Sequence, residues 1–277
     1  IVPIDGAPSD RFGYSIDIYD DVLICGAVYD DDGGEDSGAV YIYKLINGIW
    51  VYHQKILSSD SSPGDFFGVS LAIDSDIIAV GSVYDDDMGE NSGSVSIFQI
   101  ENYYWEETQK IVPDDGEDFD FFANSLDLNT GKLVVSAFYD DSENINSGSV
   151  YIYDMLNSDF EFSYKIEAED SNLNDTFGLD VSIYDNWLAI GSLNNDNGLN
   201  SGSVYLYELG QNYILRQTKI SPEDGNAYDE FSISLALGEN KLIVGAHFDD
   251  DLGDDSGSVY IYQYLGCEHD LACNYSN

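Results

Sequence analysis

The chain has 277 residues, 53 of them acidic against 9 basic, for a formal net charge of −44. A field of that sign repels phosphate, which argues against nucleic acid and anionic membrane surfaces and leaves cations, basic surfaces and neutral glycans as partners. Hydrophobic residues make up 43%, with 22 Tyr and 13 Phe, enough apolar surface for a packed core rather than an acidic disordered chain.

The opening "IVPIDG" has neither the charged n-region nor the apolar h-region of a signal peptide, and a trimmed secreted form would read the same way. No apolar run reaches the roughly 18 residues of a membrane span, so membrane insertion is not expected. Ile1 stands eleven residues before Phe12, as Ile56, Ile111, Ile166 and Ile220 stand before or near the later repeat phenylalanines. The chain therefore opens inside the last strand of a preceding unit. That piece is expected to complete a blade, either the fifth of this chain or one in another molecule, the second giving a head-to-tail polymer.

The first complete unit reads as four strands. "FGYSIDIYD" from Phe12 leads through a tight turn to "VLICGA", a near-continuous apolar run with Cys25 as a small buried hydrophobe. The acidic loop "YDDDGGEDSG" (Tyr29–Gly38) follows. "AVYIYKL" then alternates aliphatic with aromatic, the mark of a pleated strand with two different faces, and "WVYHQKI" closes the unit. The same order recurs through "FGVSLAIDS", "IIAVGS", "SVSIFQI" and "WEETQKI", and again in three further units.

The repeat decides the fold. Phe12, Phe67, Phe122, Phe177 and Phe231 are spaced by 55, 55, 55 and 54 residues, and Ser-Gly pairs at Ser37, Ser92, Ser147, Ser201 and Ser256 keep the same rhythm. Four antiparallel strands repeated at this interval predict an all-β fold, a β-propeller of five four-stranded antiparallel blades of about 55 residues each. The propeller is expected over residues 1–265, with 266–277 as a short Cys-containing segment that opens another module.

Phe-Gly at 12–13, 67–68 and 177–178, followed by Gly-Ala or Gly-Ser at 26–27, 81–82, 191–192 and 245–246, resembles the FG-GAP repeats of integrin-α-like propellers. The resemblance implies a secreted or cell-surface protein for adhesion. Phe122-Ala123 with Ser136-Ala137, and Phe231-Ser232, depart from the pattern. The acidic loop here follows the second strand, whereas integrin-type calcium loops follow the first, so their ligands do not carry over. The tail "GCEHDLACNYSN" resembles a GCxxxxACNY-type short motif of secreted microbial proteins.

Two further aspartates hold register in all five units: Asp10, Asp65, Asp120, Asp175 and Asp229 near the repeat Phe, and Asp5, Asp60, Asp115, Asp170 and Asp224 just upstream. Lys55, Lys110, Lys165 and Lys219 precede the repeat Ile. In an up-and-down blade the second-to-third connection and the fourth-to-first connection emerge on one face. More than half of the 53 acids therefore crowd onto that face.

Oxygen-only chemistry with glycine at the bend suits Ca²⁺. The expected ligands are Asp30, Asp31, Asp32 and Asp36; Asp85, Asp86, Asp87 and Asn91; Asp140, Asp141 and Asn146; Asp196 and Asn200; and Asp249, Asp250, Asp251 and Asp255. For the upstream aspartates, turn hydrogen bonds and pairing with the repeat lysines are the rival roles. Cys267 and Cys273 are close enough for a local disulfide, and Asn174 and Asn274 head glycosylation sequons; both features fit an oxidising, extracellular setting.

His53, His247 and His269 form no zinc pattern, and the chain holds no nucleophile elbow or phosphate loop. No enzyme is therefore expected. The reading is an extracellular, calcium-binding propeller for adhesion or surface assembly, with a protein or glycan partner and a filament-forming variant. The alternatives are a five-bladed glycosidase using an acid pair, or a glycan-binding lectin using Tyr103, Tyr104 and Trp105.

Overall fold

The computed structural model describes residues 1–141, 144–193, 199–210 and 213–263. Blade one contains β1 (Phe12–Tyr19), β2 (Val22–Ala27), β3 (Ala39–Ile46) and β4 (Ile49–Ile56). Blade two contains β5 (Leu71–Asp74), β6 (Ile77–Ser82), β7 (Ser94–Glu101) and β8 (Tyr104–Ile111). Blade three contains β9 (Phe122–Asn129), β10 (Lys132–Ala137), β11 (Ser149–Leu156) and β12 (Asp159–Ile166). Blade four contains β13 (Val181–Tyr184), β14 (Trp187–Ser192), β15 (Ser203–Leu209) and β16 (Ile214–Ile220). Blade five shows β17 (Phe231–Gly238), β18 (Lys241–Ala246) and β19 (Ser258–Gln263), three strands among the described residues. Within each blade the strands pair antiparallel in chain order, as the repeat predicts.

Burial follows from the strand pleat. In blades one to four the aliphatic residues of the third strand face the next blade, and in blades two to five its aromatic residues face the previous one. Val150 and Ile152 of blade three thus share one core with Phe177, Val181, Ile183, Tyr205 and Tyr207 of blade four. Each repeat Phe stands edge-on to a ring of its own third strand, with Phe122 and Tyr151 centroids 5.3 Å apart.

The Ser-Gly pair is the joint between blades. The Phe67 N–H donates to the Ser37 carbonyl at 2.9 Å, and Phe122 repeats this bond on Ser92. The next blade's backbone passes so close that a Cβ on Gly38 would sit 2.2 Å from the Phe67 oxygen, and Gly38 has φ +87°. Only glycine fits there. Acids of the first strands tie the blades inside the wheel: Asp17 accepts from Ile73 N–H at 2.7 Å, and Asp127 from Ile183 N–H at 2.7 Å. Gln54 and Trp105 exchange two bonds of 2.8 Å near the outer strands.

Packing runs from blade one to two, two to three, three to four and four to five. The outer faces of the terminal blades stay exposed. Ile16 and Ile18 of blade one are 67% and 55% exposed, against 8% and 4% for Leu71 and Ile73 in blade two. The opening segment lies along blade one, where the Val2 carbonyl accepts from the Tyr43 hydroxyl at 3.2 Å. Ile1 is 60% exposed, so this segment does not complete blade five as the repeat register suggests.

Candidate functional site

The two acidic connections do meet on one face. Lys55, at the end of β4, brings them together: its Nζ lies 2.8 Å from Asp30, 2.5 Å from Asp32 and 3.4 Å from Asp5. The Tyr41 hydroxyl, reaching in from β3, contacts Asp5 at 2.7 Å and Asp30 at 2.9 Å. Blade two repeats the arrangement around Lys110, with Asp60, Asp85 and Asp87 at 2.6, 2.7 and 2.7 Å. Blade three places Lys165 2.9 Å from Asp115 and 2.8 Å from Asp140, with Tyr151 on the same two acids. In blade four Lys219 and Tyr205 both hold Asp170. Ser96 replaces the tyrosine in blade two, and its buried hydroxyl has no partner among the described residues.

Burial opposes the charge on Lys55 and Lys110, and the hydrogen bonds they donate to the surrounding aspartates outweigh it, so both ammonium groups titrate above their ordinary value. Burial likewise pushes Asp60 upward, and Lys110 outweighs it, so that carboxyl is held low.

Each loop acid has its own task. The first accepts from the N–H two residues on, as Asp85 does from Asp87 at 2.9 Å. The second accepts from the N–H five residues on: Asp31 from Asp36, Asp86 from Asn91, Asp141 from Asn146 and Asp250 from Asp255, at 2.6 to 2.9 Å. The third, in blades one and two, joins the first as a lysine partner. Asp36, Asn91, Asn146, Asn200 and Asp255 all have φ near +54°, between 52° and 55°. Asx residues tolerate that region best, which gives these positions a backbone reason for their identity. Gly34, Gly89 and Gly253 take φ between +146° and +155°, as the loop pattern predicts.

Asp10, Asp65, Asp120, Asp175 and Asp229 each accept from the N–H three residues earlier, at 2.6 to 2.7 Å. They are turn caps, buried to 7% exposure or less. Burial pushes Asp65 and Asp120 up to about 6. Burial does the same to Asp127, also to about 6.

Asp60, Asp85 and Asp87 are the one acidic group among the described residues whose oxygens lie within 4.8 Å of one another. The Lys110 ammonium already stands at its centre, so this triad does not fit calcium while the lysine is in place. Asp196 lies outside the described residues, as do Cys267, Cys273, Asn274 and the segment 266–277. Asn174 is on the fourth-to-first connection of blade four, with its Oδ1 accepting from Asn146 at 2.8 Å. Trp105 is 2% exposed and belongs to the blade core, while Tyr103 and Tyr104 are exposed and flank His53. The aromatic patch therefore lacks the indole expected from sequence.

An aromatic row escaped sequence reading. Tyr29, Phe66, Tyr84, Phe121 and Tyr139 meet edge to face across blades one to three, with centroids 4.7 to 5.5 Å apart. They line a cavity of about 320 Å³ together with Val69, Asn124 and Phe138. The signal was present: an aromatic residue precedes the first loop Asp in four units. Phe66 and Phe121 sit at φ +57° and +54°, just before the repeat Phe.

The FG-GAP repeat model matches residues 1–43, 50–98, 105–153, 160–207 and 215–262. Each later match begins in a fourth strand and ends in the third strand of the next blade, so family unit and blade are out of phase. No curated protein matches the chain. Among solved structures, a chain from a structural and mechanistic analysis of two prolyl endopeptidases is similar, with a TM-score of 0.51 and 13% identity. The likeness covers 90% of this chain and 32% of that one, and at such identity it reports the propeller architecture alone. The five matched repeats, spread over almost all of the described residues, place this chain in the FG-GAP repeat family.

Proposed function

We propose that this protein is a non-enzymatic propeller acting outside the cell, in adhesion or surface assembly, through its acidic face. The observation that carries the reading is the use of the acids in register. The buried ones are tied to lysine, tyrosine or backbone N–H groups, and the exposed ones are repeated blade after blade on one side. Repetition of this kind suits multivalent contact, in which several weak sites act together. Catalysis asks for one irregular pair.

Calcium belongs to this proposal at the exposed loop acids outside the lysine triads, such as Asp31, Asp86 and Asp250, where it would bridge to a partner's oxygens. The decisive experiment is thermal melting in calcium and in chelator at fixed ionic strength, combined with equilibrium dialysis of calcium. A higher melting temperature in calcium, diminished when Asp31, Asp86 and Asp250 become Asn, is the expected result. Identical melting and no retained calcium would remove calcium from the proposal. Turnover of any glycoside, abolished by one Asp→Asn change, would replace the adhesive reading with an enzymatic one.

A further inference from the structure

One joint of the wheel departs from its neighbours at the outer rim. The turn between β7 and β8 is Asn102-Tyr103, with φ of +49° and +84°. Its equivalents are Asn47-Gly48, at +51° and +80°, and Asn157-Ser158, at +53° and +83°. A two-residue hairpin of this kind favours glycine in second place, and a ring-bearing residue there is strained. Blade two nevertheless holds Tyr103 in that conformation and leaves it 59% exposed, with Tyr104 beside it 52% exposed. Strain kept at an exposed side chain points to a task outside the fold.

Blade one supplies the other half of this joint. Lys44 lies in β3, where blades two, three and four carry Gln99, Asp154 and Glu208. His53 lies in β4, where those blades carry Thr108, Ser163 and Gln217. At the next joint Gln99 donates to the Ser158 turn carbonyl at 2.5 Å. Here His53 takes that part, its Nε2–H donating to the Tyr103 carbonyl at 3.0 Å, which fixes the tautomer. Lys44 is thereby released. Its Nζ stands 4.3 Å from the Tyr103 ring centre. It has no acidic partner among the described residues, although acids outnumber bases 53 to 9 in the chain. The Tyr103 and Tyr104 rings meet at 86° with centroids 5.9 Å apart, and Tyr104 lies within 12° of parallel to His53 at 5.8 Å. The result is a corner of two exposed rings, backed by an imidazole and flanked by an ammonium group.

We infer that this corner binds a neutral pyranose ring of a glycan, with the sugar's C–H face on Tyr103 and Tyr104 and its hydroxyl oxygens accepting from Lys44. Aromatic faces are electron-rich and attract the weakly positive C–H bonds of a sugar ring. An ammonium group with unused N–H donors supplies the directional bonds that hold the ring in place. The net charge of −44 disfavours an acidic sugar or an acidic peptide at the same place. Third-to-fourth turns emerge on the face opposite the acidic loops, so binding here is independent of the acid clusters and of calcium. Two tyrosines, a histidine and a lysine replace the three exposed aromatics expected from sequence.

The test titrates the full chain by isothermal calorimetry with neutral β-linked tetrasaccharides of glucose, galactose and mannose, with a tetragalacturonate and with a tetraglutamate peptide. Saturable one-to-one binding of at least one neutral tetrasaccharide is expected, weakened at least about fivefold by Tyr103→Gly and by Lys44→Gln. Each substitution follows what a neighbouring blade carries at the same place, Gly48 and Gln99, so the fold should persist. Tyr103→Gly should hold or raise Tm, because the turn strain is relieved. No saturable binding of any neutral tetrasaccharide, tighter binding of the galacturonate or the peptide, or unchanged binding in either variant would overturn the inference.

Discussion

Replacing Lys110 by methionine removes the charge and keeps most of the stem. Three carboxylates are then left within 4.8 Å of one another with no counter-charge. Two unit charges at that separation repel by about 3.5 kcal/mol at an effective dielectric of 20, and by about 0.9 kcal/mol in water. The Asp60 and Asp87 side chains are 46% and 50% exposed, so their mutual term lies near the lower figure. Asp85 is 7% exposed, and both of its terms lie higher. Screening and partial protonation reduce the total to about 3 kcal/mol, in keeping with the cost of orphaning a buried charge. For a domain of this size that is a fall in Tm of roughly 6 to 12 °C. The assay is differential scanning calorimetry at neutral pH, run as a cycle with Asp85→Asn. The double variant should recover at least half of the loss, because it removes the acid most deprived of water. A loss under about 1 kcal/mol in Lys110→Met, or further loss in the double variant, would refute the claim that the lysine neutralises this cluster.

Gly93→Ala should cost more than about 3 kcal/mol, since its Cβ would lie 2.0 Å from the Phe122 oxygen and its φ is +85°. Gly257→Ala, at the same place in the open blade five, meets nothing nearer than the His247 oxygen at 3.1 Å and should cost about 1 kcal/mol of backbone strain; parallel urea melts compare them. Burial pushes Asp65, Asp120 and Asp127 up to about 6 in the fold, above the usual carboxylate range. Their folded forms take up protons that the unfolded chain does not, so Tm should rise by several degrees as pH falls from 8 to about 5. Below about 4 the trend should reverse, because Asp5, Asp60 and Asp170 are held below their ordinary value and lose their lysine contacts on protonation. Cys25 is 4% exposed, and burial pushes its thiol up to about 11, so mass mapping after alkylation should find it modified only in denaturant.

The wheel was legible because five copies of one pattern average out local ambiguity. Near-continuous apolar second strands and alternating third strands pointed to blades packed against their neighbours, as blades two to four are on both sides. The shared acidic face was also legible, because it follows from strand direction alone. The tasks of individual acids were not. "DDD" in Asp85–Asp87 reads as three equal ligands, yet the fold gives a turn bond and lysine to the first, a backbone cap to the second and a lysine to the third. Those assignments depend on where Lys110, 25 residues from Asp85 in sequence, is carried by its strand. Asn91 looked like one more oxygen, and its left-handed backbone is invisible in composition. Ser-Gly showed only as part of the repeat rhythm, and its partner, the next repeat Phe, is separated from it by two strands. Trp105 looked exposed beside two tyrosines, and pleat parity sends every second residue of such a run inward.

The offset between family unit and blade bears on how such a chain changes length. A cut between Lys55 and Ile56 and another between Lys110 and Ile111 fall at equivalent points inside two fourth strands. Removing the intervening segment joins all but the last residue of one fourth strand to the last residue of its counterpart, and the chain crosses from one blade to the next as before. Duplicating the segment works equally well. Every seam made in this way lies within a hydrogen-bonded ladder, so neither event leaves a loose junction. Gain or loss of one repeat in this way therefore leaves every remaining junction between neighbouring blades as it was, and blade number can change in single steps.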